Sequence, residues 1–382
     1  MPFDSRNPVY FDNAATSFPK PPAVYRAVQK AMTEAGGNPG RGGHPPAVRA
    51  GEAVYHARET AAAMLDAEPE HIIFTQNCTH ALNLAIHGLL RQGDHVILSS
   101  LEHNSAARPA AALAEAGIIR CSAARVDPDD NRTVAAFRRL MRPDTRAVIC
   151  TLVSNVTGQI LPVRQLAELC RSRGIILIAD GAQACGHLPV SLRDGMHLLC
   201  TAGHKGLLGP MGTGMLVTDG TVPLKPLMQG GTGSLSASLR QPDFLPDALE
   251  SGTVNVPGVA GLDAGMQDVQ RRGLSEIFAH ESALCERLIA GLRRMPDAVV
   301  YRSEHAQYAP VVSFTLGREL PDETAARLAA QGFCVRAGLH CAPLAHRTLG
   351  TAAAGTVRFS PSAFNTEQET DAFLHALQMR TD

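Results

Sequence analysis

From about residue 20 to 245, short apolar runs alternate with segments of helical spacing. HIIFT, HVILSS, AVICTLV, IILIAD, HLLC and TGMLV each read as a strand, and each is apolar through most of its length instead of at alternate positions. Such runs are buried on both faces, which predicts a mostly parallel sheet with helices outside it. Between two of them, LPVRQLAELCRSRG sets Leu161, Leu166 and Leu169 on one helical face and ends in glycine, a helix with its C-terminal stop.

The alternation breaks between about Gly230 and Gly258, where Gly, Ser and Pro dominate and no apolar period continues. That composition marks loops or a domain boundary. Beyond it, VPGVAGLDAGMQDVQ and ETAARLAAQG have helical spacing, while VVSFTL and TVRFS read as strands. The expectation is an α/β chain with a large domain over 20–250 and a small α+β domain over 251–382. A length of 382 residues exceeds what single cores usually reach and agrees with two domains.

Composition narrows the function. Lys and Arg number 35 against 36 Asp and Glu, tryptophan is absent and aromatics make up 4%, so neither a phosphate-binding charge patch nor a base-stacking platform is indicated. Nucleic acid is therefore not an expected partner. No apolar stretch nears the roughly 20 residues of a membrane span, and the first twenty residues lack a signal segment. Nine cysteines without a C-x-x-C suit a reducing compartment, with the cytoplasm as the expected location.

Several polar residues sit where apolar strands end. Asp180 closes IILIAD, in the position where open α/β sheets bind ligands; it suits a cofactor nitrogen, a helix cap or magnesium equally well in type. Gln183 follows one turn later. Lys205 lies in TAGHKGLLGPMGTG, whose glycines let a bulky planar ligand approach the backbone; a lysine there forms an imine with a carbonyl cofactor or is simply solvated. In HIIFTQNCTHALNLAIHGLL, Thr79 is expected to cap a helix whose free N–H groups also suit a phosphate. His103 and Asn155 follow HVILSS and AVICTLV, placed either to touch a ring or substrate or to form ordinary turns.

Two further residues are chemically pointed. Cys341, in VRAGLHCAPLAH, is a candidate nucleophile with Arg336 nearby to favour its thiolate, or else a structural thiol. Arg358, in the apolar TVRFS, needs an anion if buried: a substrate carboxylate or an internal one. His44, His204 and His340 are too widely spaced for a zinc site, so no metal is expected. The glycine patterns match neither nucleotide-binding fingerprint.

Read together, FDNAATS, EHN, SNVTG, DGAQ, GHKGLLGP, SGTVN and VRAGLHCAP, in this order, resemble the class V aminotransferase fold family and, within it, the cysteine desulfurases with a compact catalytic loop, which are similar to selenocysteine lyases. The resemblance implies pyridoxal 5'-phosphate as cofactor, L-cysteine as substrate, L-alanine as product and a persulfide on Cys341 that passes to an acceptor protein. It also implies a homodimer, a seven-stranded sheet in the large domain, and residues 1–19 packed on the small one. By likeness, Lys205 carries the cofactor, Asp180 pairs with its pyridine nitrogen, Gln183 and Asn155 lie near its ring hydroxyl and His103 stacks on its face and helps move protons. Thr79 and His204 resemble phosphate ligands, with Thr253 reaching the neighbouring subunit's phosphate. Arg358 resembles the substrate-carboxylate arginine, with Asn155 and Arg336 beside the substrate. Two positions depart from the family: TAGHK has Ala202, or Thr201 with a one-residue shift, where a hydroxyl is usual, and NCTH puts Cys78 in place of another, which implies weaker cofactor binding. A selenocysteine lyase, another C–S lyase or aminotransferase of the class, and a non-enzymatic subunit of a sulfur-transfer assembly remain as alternatives.

Overall fold

The computed structural model describes residues 8–40 and 42–379. Its larger sheet has seven strands: β2 (Ile72–Thr75), β3 (His95–Ser99), β4 (Arg120–Ala124), β5 (Thr145–Thr151), β6 (Ile176–Asp180), β7 (Leu198–Ala202) and β8 (Gly214–Thr218), after a short β1 (Val9–Tyr10) elsewhere. The order is β2-β8-β7-β6-β5-β3-β4. β8 is antiparallel to both its neighbours while β3 to β7 pair in parallel, so the sheet is mixed with one reversed strand. All six strands expected from apolar runs are present; β4 is an addition, an edge strand with exposed Arg120 and Cys121.

Helices α1 (Pro22–Glu34), α2 (Pro45–Leu65), α3 (Cys78–Leu89), α4 (Asn104–Glu115), α5 (Asp130–Leu140) and α6 (Val163–Arg171) accompany this sheet, and α7 (Val256–Arg272) packs on α1 and α2. Leu262 and Met266 of α7 join the core of the large sheet. A division at residue 250 thus assigns to the C-terminal part a helix whose apolar side lies on the larger unit.

The smaller unit contains α8 (Leu274–Leu292), β9 (Ala298–Val300), β10 (Val312–Leu316), α9 (Pro321–Ala330), β11 (Phe333–Cys334), β12 (Arg336–Gly338), α10 (Pro343–Leu349), β13 (Thr356–Phe359) and α11 (Glu367–Gln378). Strands β12-β13-β10-β9 form an antiparallel sheet, and β1 pairs in parallel with β11. Phe11 is fully buried against Phe359 and Phe373, with ring centroids 4.3 and 5.4 Å away. Burying one such side chain contributes about 1.5–3 kcal/mol, which fastens the N-terminal segment to the smaller unit. Of the expected 1–19 segment, residues 1–7 lie outside the described residues. No helix among the described residues is long and apolar enough to cross a membrane.

β3 leads through α4 to β4 on one side and borders β5 on the other, so the sheet's direction of winding switches between β3 and β5. Beyond the carboxyl ends of strands at such a switch lies the usual ligand crevice of an open α/β sheet.

Candidate active site

A cavity of about 210 Å³ opens at this switch point. Its walls include Asp180, Gln183, Lys205, His204, His103, Asn155, Thr79, Cys78, Arg336 and Arg358. Ten of the twelve residues singled out from sequence therefore converge, although they come from both units. Cys341 lies beside the cavity, exposed, with its Sγ 3.6 Å from Nη2 of Arg336. Thr253 does not join them: it is exposed on the loop before α7, its hydroxyl 3.5 Å from Nδ2 of Asn38.

Asp180 is delivered by the last position of β6 and is buried. Its Oδ1 accepts from the Ala182 N–H at 2.9 Å and from the Cys78 thiol at 3.4 Å. The thiol that replaces the family's hydroxyl thus faces the aspartate. The helix behind it begins at Cys78, and the cap is Asn77, whose Oδ1 accepts from the His80 N–H at 2.9 Å. The expectation that Thr79 caps this helix is corrected: Asn77 and Thr79 are both of capping type, and the amide of Asn77 takes the position, leaving Thr79 within the first turn at the cavity. At the second departure, Ala202 lines the cavity, while Thr201 is fully buried with its hydroxyl toward Gly181 O at 3.4 Å.

Lys205 stands in the loop between β7 and β8, half-buried, and no hydrogen bond from the described residues holds its amine. Burial lowers the pKa of that amine; Asp180 opposes the shift and Arg358 and Arg336 reinforce it. His103 caps α4 through Nδ1, which accepts from the Ser105 N–H at 3.0 Å. In the neutral ring this leaves the proton on Nε2. Burial first, then the Lys205 charge, pushes His103 down to about 4, so the ring is neutral near pH 7. His204 is lowered to about 4, again chiefly by burial.

Arg358, 1% exposed, is the largest fully buried side chain among the described residues. Its Nη2 donates to Asp12 Oδ1 at 2.7 Å and its Nη1 to Asn155 O at 3.1 Å. An internal carboxylate therefore meets part of its need, while Nε stays buried without a partner. Asn155 donates Nδ2 to His340 O at 2.7 Å, and Gln183 donates Nε2 to Ala14 O at 2.8 Å. Cys341 follows β12 in a turn where His340 and Cys341 have φ of 48° and 57°. The Asn104 N–H donates to Cys341 O at 2.7 Å, tying the thiol's turn to the start of α4 beside His103.

Sequence reasoning did not single out Asp12, Ser17, Lys20 or Glu102. Glu102 is fully buried; Oε1 accepts from the Thr151 N–H at 2.7 Å and from Ser99 Oγ, and Oε2 has no partner. Burial, with Asp180 adding to it, pushes its carboxyl up to about 8. The signal available was position: an acid adjoining His103 just beyond an apolar strand.

The cavity also suits an anionic, polar ring compound. Nδ1 of His204, Nδ1 of His340 and Nε of Arg358 are buried polar atoms without partners, and all three residues line it. Buried polar groups normally have partners, and unsatisfied ones that share a cavity mark where a ligand's oxygens belong. A free amine, a buried carboxylate and a helix N-terminus on one small space are the groups a pyridoxal phosphate needs.

A family model, aminotransferase class-V, matches residues 9–373. A probable cysteine desulfurase from Methanothermobacter thermautotrophicus is 34% identical over 95% of this chain and 92% of its own length. Another, from Mycolicibacterium paratuberculosis, is 34% identical over 97% of this chain, which spans only 55% of that longer protein. Among solved structures, the apo cysteine desulfurase from Thermococcus onnurineus superimposes with a TM-score of 0.91 at 30% identity, over 97% of this chain and 94% of that one. The cysteine desulfurase CsdA from Escherichia coli gives 0.87 at 26% identity, over the same shares. With its sheet order, its lysine loop and nearly its whole length accounted for by these matches, the chain belongs to the class-V aminotransferase family.

Proposed function

We propose that the chain is a pyridoxal phosphate-dependent cysteine desulfurase that converts L-cysteine to L-alanine and collects the sulfur on Cys341. The observation that carries this reading is one cavity lined by Lys205, Asp180 and Arg358 with an exposed cysteine at its edge. The likeness to cysteine desulfurases supports it.

The cofactor, when bound, supplies an electron sink for the carbon next to the substrate's nitrogen. Lys205 would hold it, with Asp180 at its ring nitrogen, His103 on its face, Gln183 and Asn155 near its ring oxygen, and Thr79, Cys78 and His204 toward its phosphate. Lys205, with its lowered pKa, has an amine able to take the substrate's α-proton. The Nε2–H of His103 is a donor and not an acid at neutral pH. Arg358 presents its unused Nε to the substrate carboxylate, with Asn155 and Arg336 beside it. Sulfur moves when the Cys341 thiolate bonds to the substrate sulfur as the carbon–sulfur bond breaks. The electron pair returns to carbon, a proton completes alanine, and the persulfide passes to an acceptor protein. Arg336 gives a sulfur anion a cation at contact distance.

A homodimer is part of the proposal. Thr253 is exposed on a stretch that also exposes Leu235, Leu239 and Phe244, so a second copy covering that stretch would bring Thr253 to its neighbour's phosphate site. Nine free cysteines suit the cytoplasm.

The test is alanine formation from L-cysteine under a thiol reductant, with protein reconstituted with pyridoxal phosphate. Native protein should release alanine with matching sulfide. Cys341→Ala should keep the cofactor's colour and release neither, and Lys205→Ala should lose the coloured band. Undiminished alanine from Cys341→Ala would remove the thiol from the reaction and favour a lyase.

A further inference from the structure

The N-terminal segment crosses from the smaller unit to the lysine loop and there makes an unusual set of contacts. The carbonyl oxygen of His204 accepts from Ser17 N at 3.0 Å, Thr16 Oγ1 at 3.1 Å and Lys20 Nζ at 2.8 Å. The next carbonyl, that of Lys205, accepts from Ser17 Oγ at 2.9 Å as well as from Leu208 N at 2.9 Å. Lys20 Nζ also donates to Ser17 Oγ at 2.6 Å, which joins these contacts into one cluster. Both carbonyls that flank the Cα of Lys205 are therefore held from outside their own loop.

Among the described residues, no acid forms an ion pair with Lys20. It is half-buried, and its amine is directed at a carbonyl and a hydroxyl and not at an acid. Burial lowers its pKa to about 8, an unfavourable setting for a charge whose only role is to satisfy one carbonyl oxygen, because Ser17 and Thr16 already do so. In the same segment the Asp12 carboxylate accepts from Arg358 and the Ala14 carbonyl accepts from Gln183.

We propose that Lys20 is a positioning residue for Lys205, acting with Ser17 through the peptide carbonyls on either side of it. The orientation of those two peptides sets the direction in which the Lys205 side chain leaves the backbone, and hence where its amine stands relative to Asp180 and the cavity. An amine that must both hold a cofactor and move a proton is sensitive to displacement: a 1 Å misplacement can cost about 100-fold in rate. This proposal rests on the reading of Lys205 as the cofactor-bearing residue.

The test compares Lys20→Met and Lys20→Arg with the native protein by three measurements: the rate at which apoprotein captures pyridoxal phosphate, kcat and KM for alanine formation, and melting temperature. Lys20→Met should slow capture and lower kcat, each by about tenfold, with KM for L-cysteine within about twofold, because the substrate-binding arginines are untouched. Its melting temperature should stay close to native, and Lys20→Arg, which retains a cationic donor, should recover most of both rates. Native capture and kcat in Lys20→Met would overturn the proposal. So would losses that track a lowered melting temperature and are not recovered by Lys20→Arg. Should the native protein form no alanine, the desulfurase reading fails, while the capture rates still decide the role of Lys20.

Discussion

The Asp12–Arg358 pair offers a quantitative prediction, because removing one partner leaves a charge where water hardly reaches. Arg358 is 1% exposed, and the 2.7 Å bond to Asp12 is its contact with an acid. In Asp12→Ala the guanidinium keeps Asn155 O but loses its counter-charge. Breaking a buried pair in this way costs about 3–5 kcal/mol. Asp12 is 19% exposed and the cavity is near, so the lower end applies, about 3 kcal/mol. With an unfolding entropy of about 2.1 cal/mol/K per residue, a chain of 382 residues should melt about 4 °C lower. The assay is thermal unfolding of the apoprotein, alone and with L-alanine, whose carboxylate the freed guanidinium should take. A ligand at 100 times its Kd adds about 2.7 kcal/mol, so saturating L-alanine should raise the variant's melting temperature more than the native protein's. Arg358→Met in the same background removes the orphaned charge, and the double variant should melt above Asp12→Ala. A single variant within about 1 °C of native, or a double variant that loses the sum of two separate penalties, would refute the reasoning.

Glu102 carries a pH dependence. Its folded pKa of about 8 lies above the ordinary 4.5, so the folded state retains a proton that the unfolded chain releases, and this contribution to stability falls as pH rises from about 4.5 to about 8. Glu102→Gln should flatten the fall in denaturation midpoint between pH 5 and pH 8.5; an unchanged slope assigns it to other groups. At Gly206, an added Cβ would lie 2.6 Å from Cε1 and Nδ1 of His187 and also against the Cys185 carbonyl. Gly206→Ala should therefore cost about 1–3 kcal/mol and slow cofactor capture at the adjacent Lys205, with native melting and capture as the contrary result. Cys78→Thr exchanges a 3.4 Å thiol contact with Asp180 for a hydroxyl bond, which should tighten cofactor retention by about 0.5–1 kcal/mol; faster loss on dialysis would show that the thiol is the better fit.

The strands were readable where burial on both faces leaves an apolar run, as in β5 and β6. β4 was not, because an edge strand with exposed Arg120 and Cys121 has no such run. The reversed direction of β8 was hidden for another reason: it is buried between two neighbours, and burial looks the same whichever way a strand runs. At the site, Asp180 and Lys205 were legible because polar residues close apolar strands or sit among glycines. Asp12, Ser17 and Lys20 carry no such pattern. Their partners lie 346, 188 and 184 residues away, and only the folded chain brings them together. FDNAATS stands out as a motif, yet nothing local in it indicates a grip on a distant lysine.

The turn at Cys341 has a consequence for how the chain tolerates change. A left-handed backbone costs an L-residue roughly 1–2 kcal/mol and costs glycine almost nothing, and Cys341 occupies it at φ 57°. Judged by folding alone, cysteine is a poor choice there. A library screened for abundance should rank Cys341→Gly at or above the native residue, while one screened for sulfur release should rank it last. Few positions in a chain invert so fully between the two rankings, and such an inversion separates a residue retained for its chemistry from one retained for its fit.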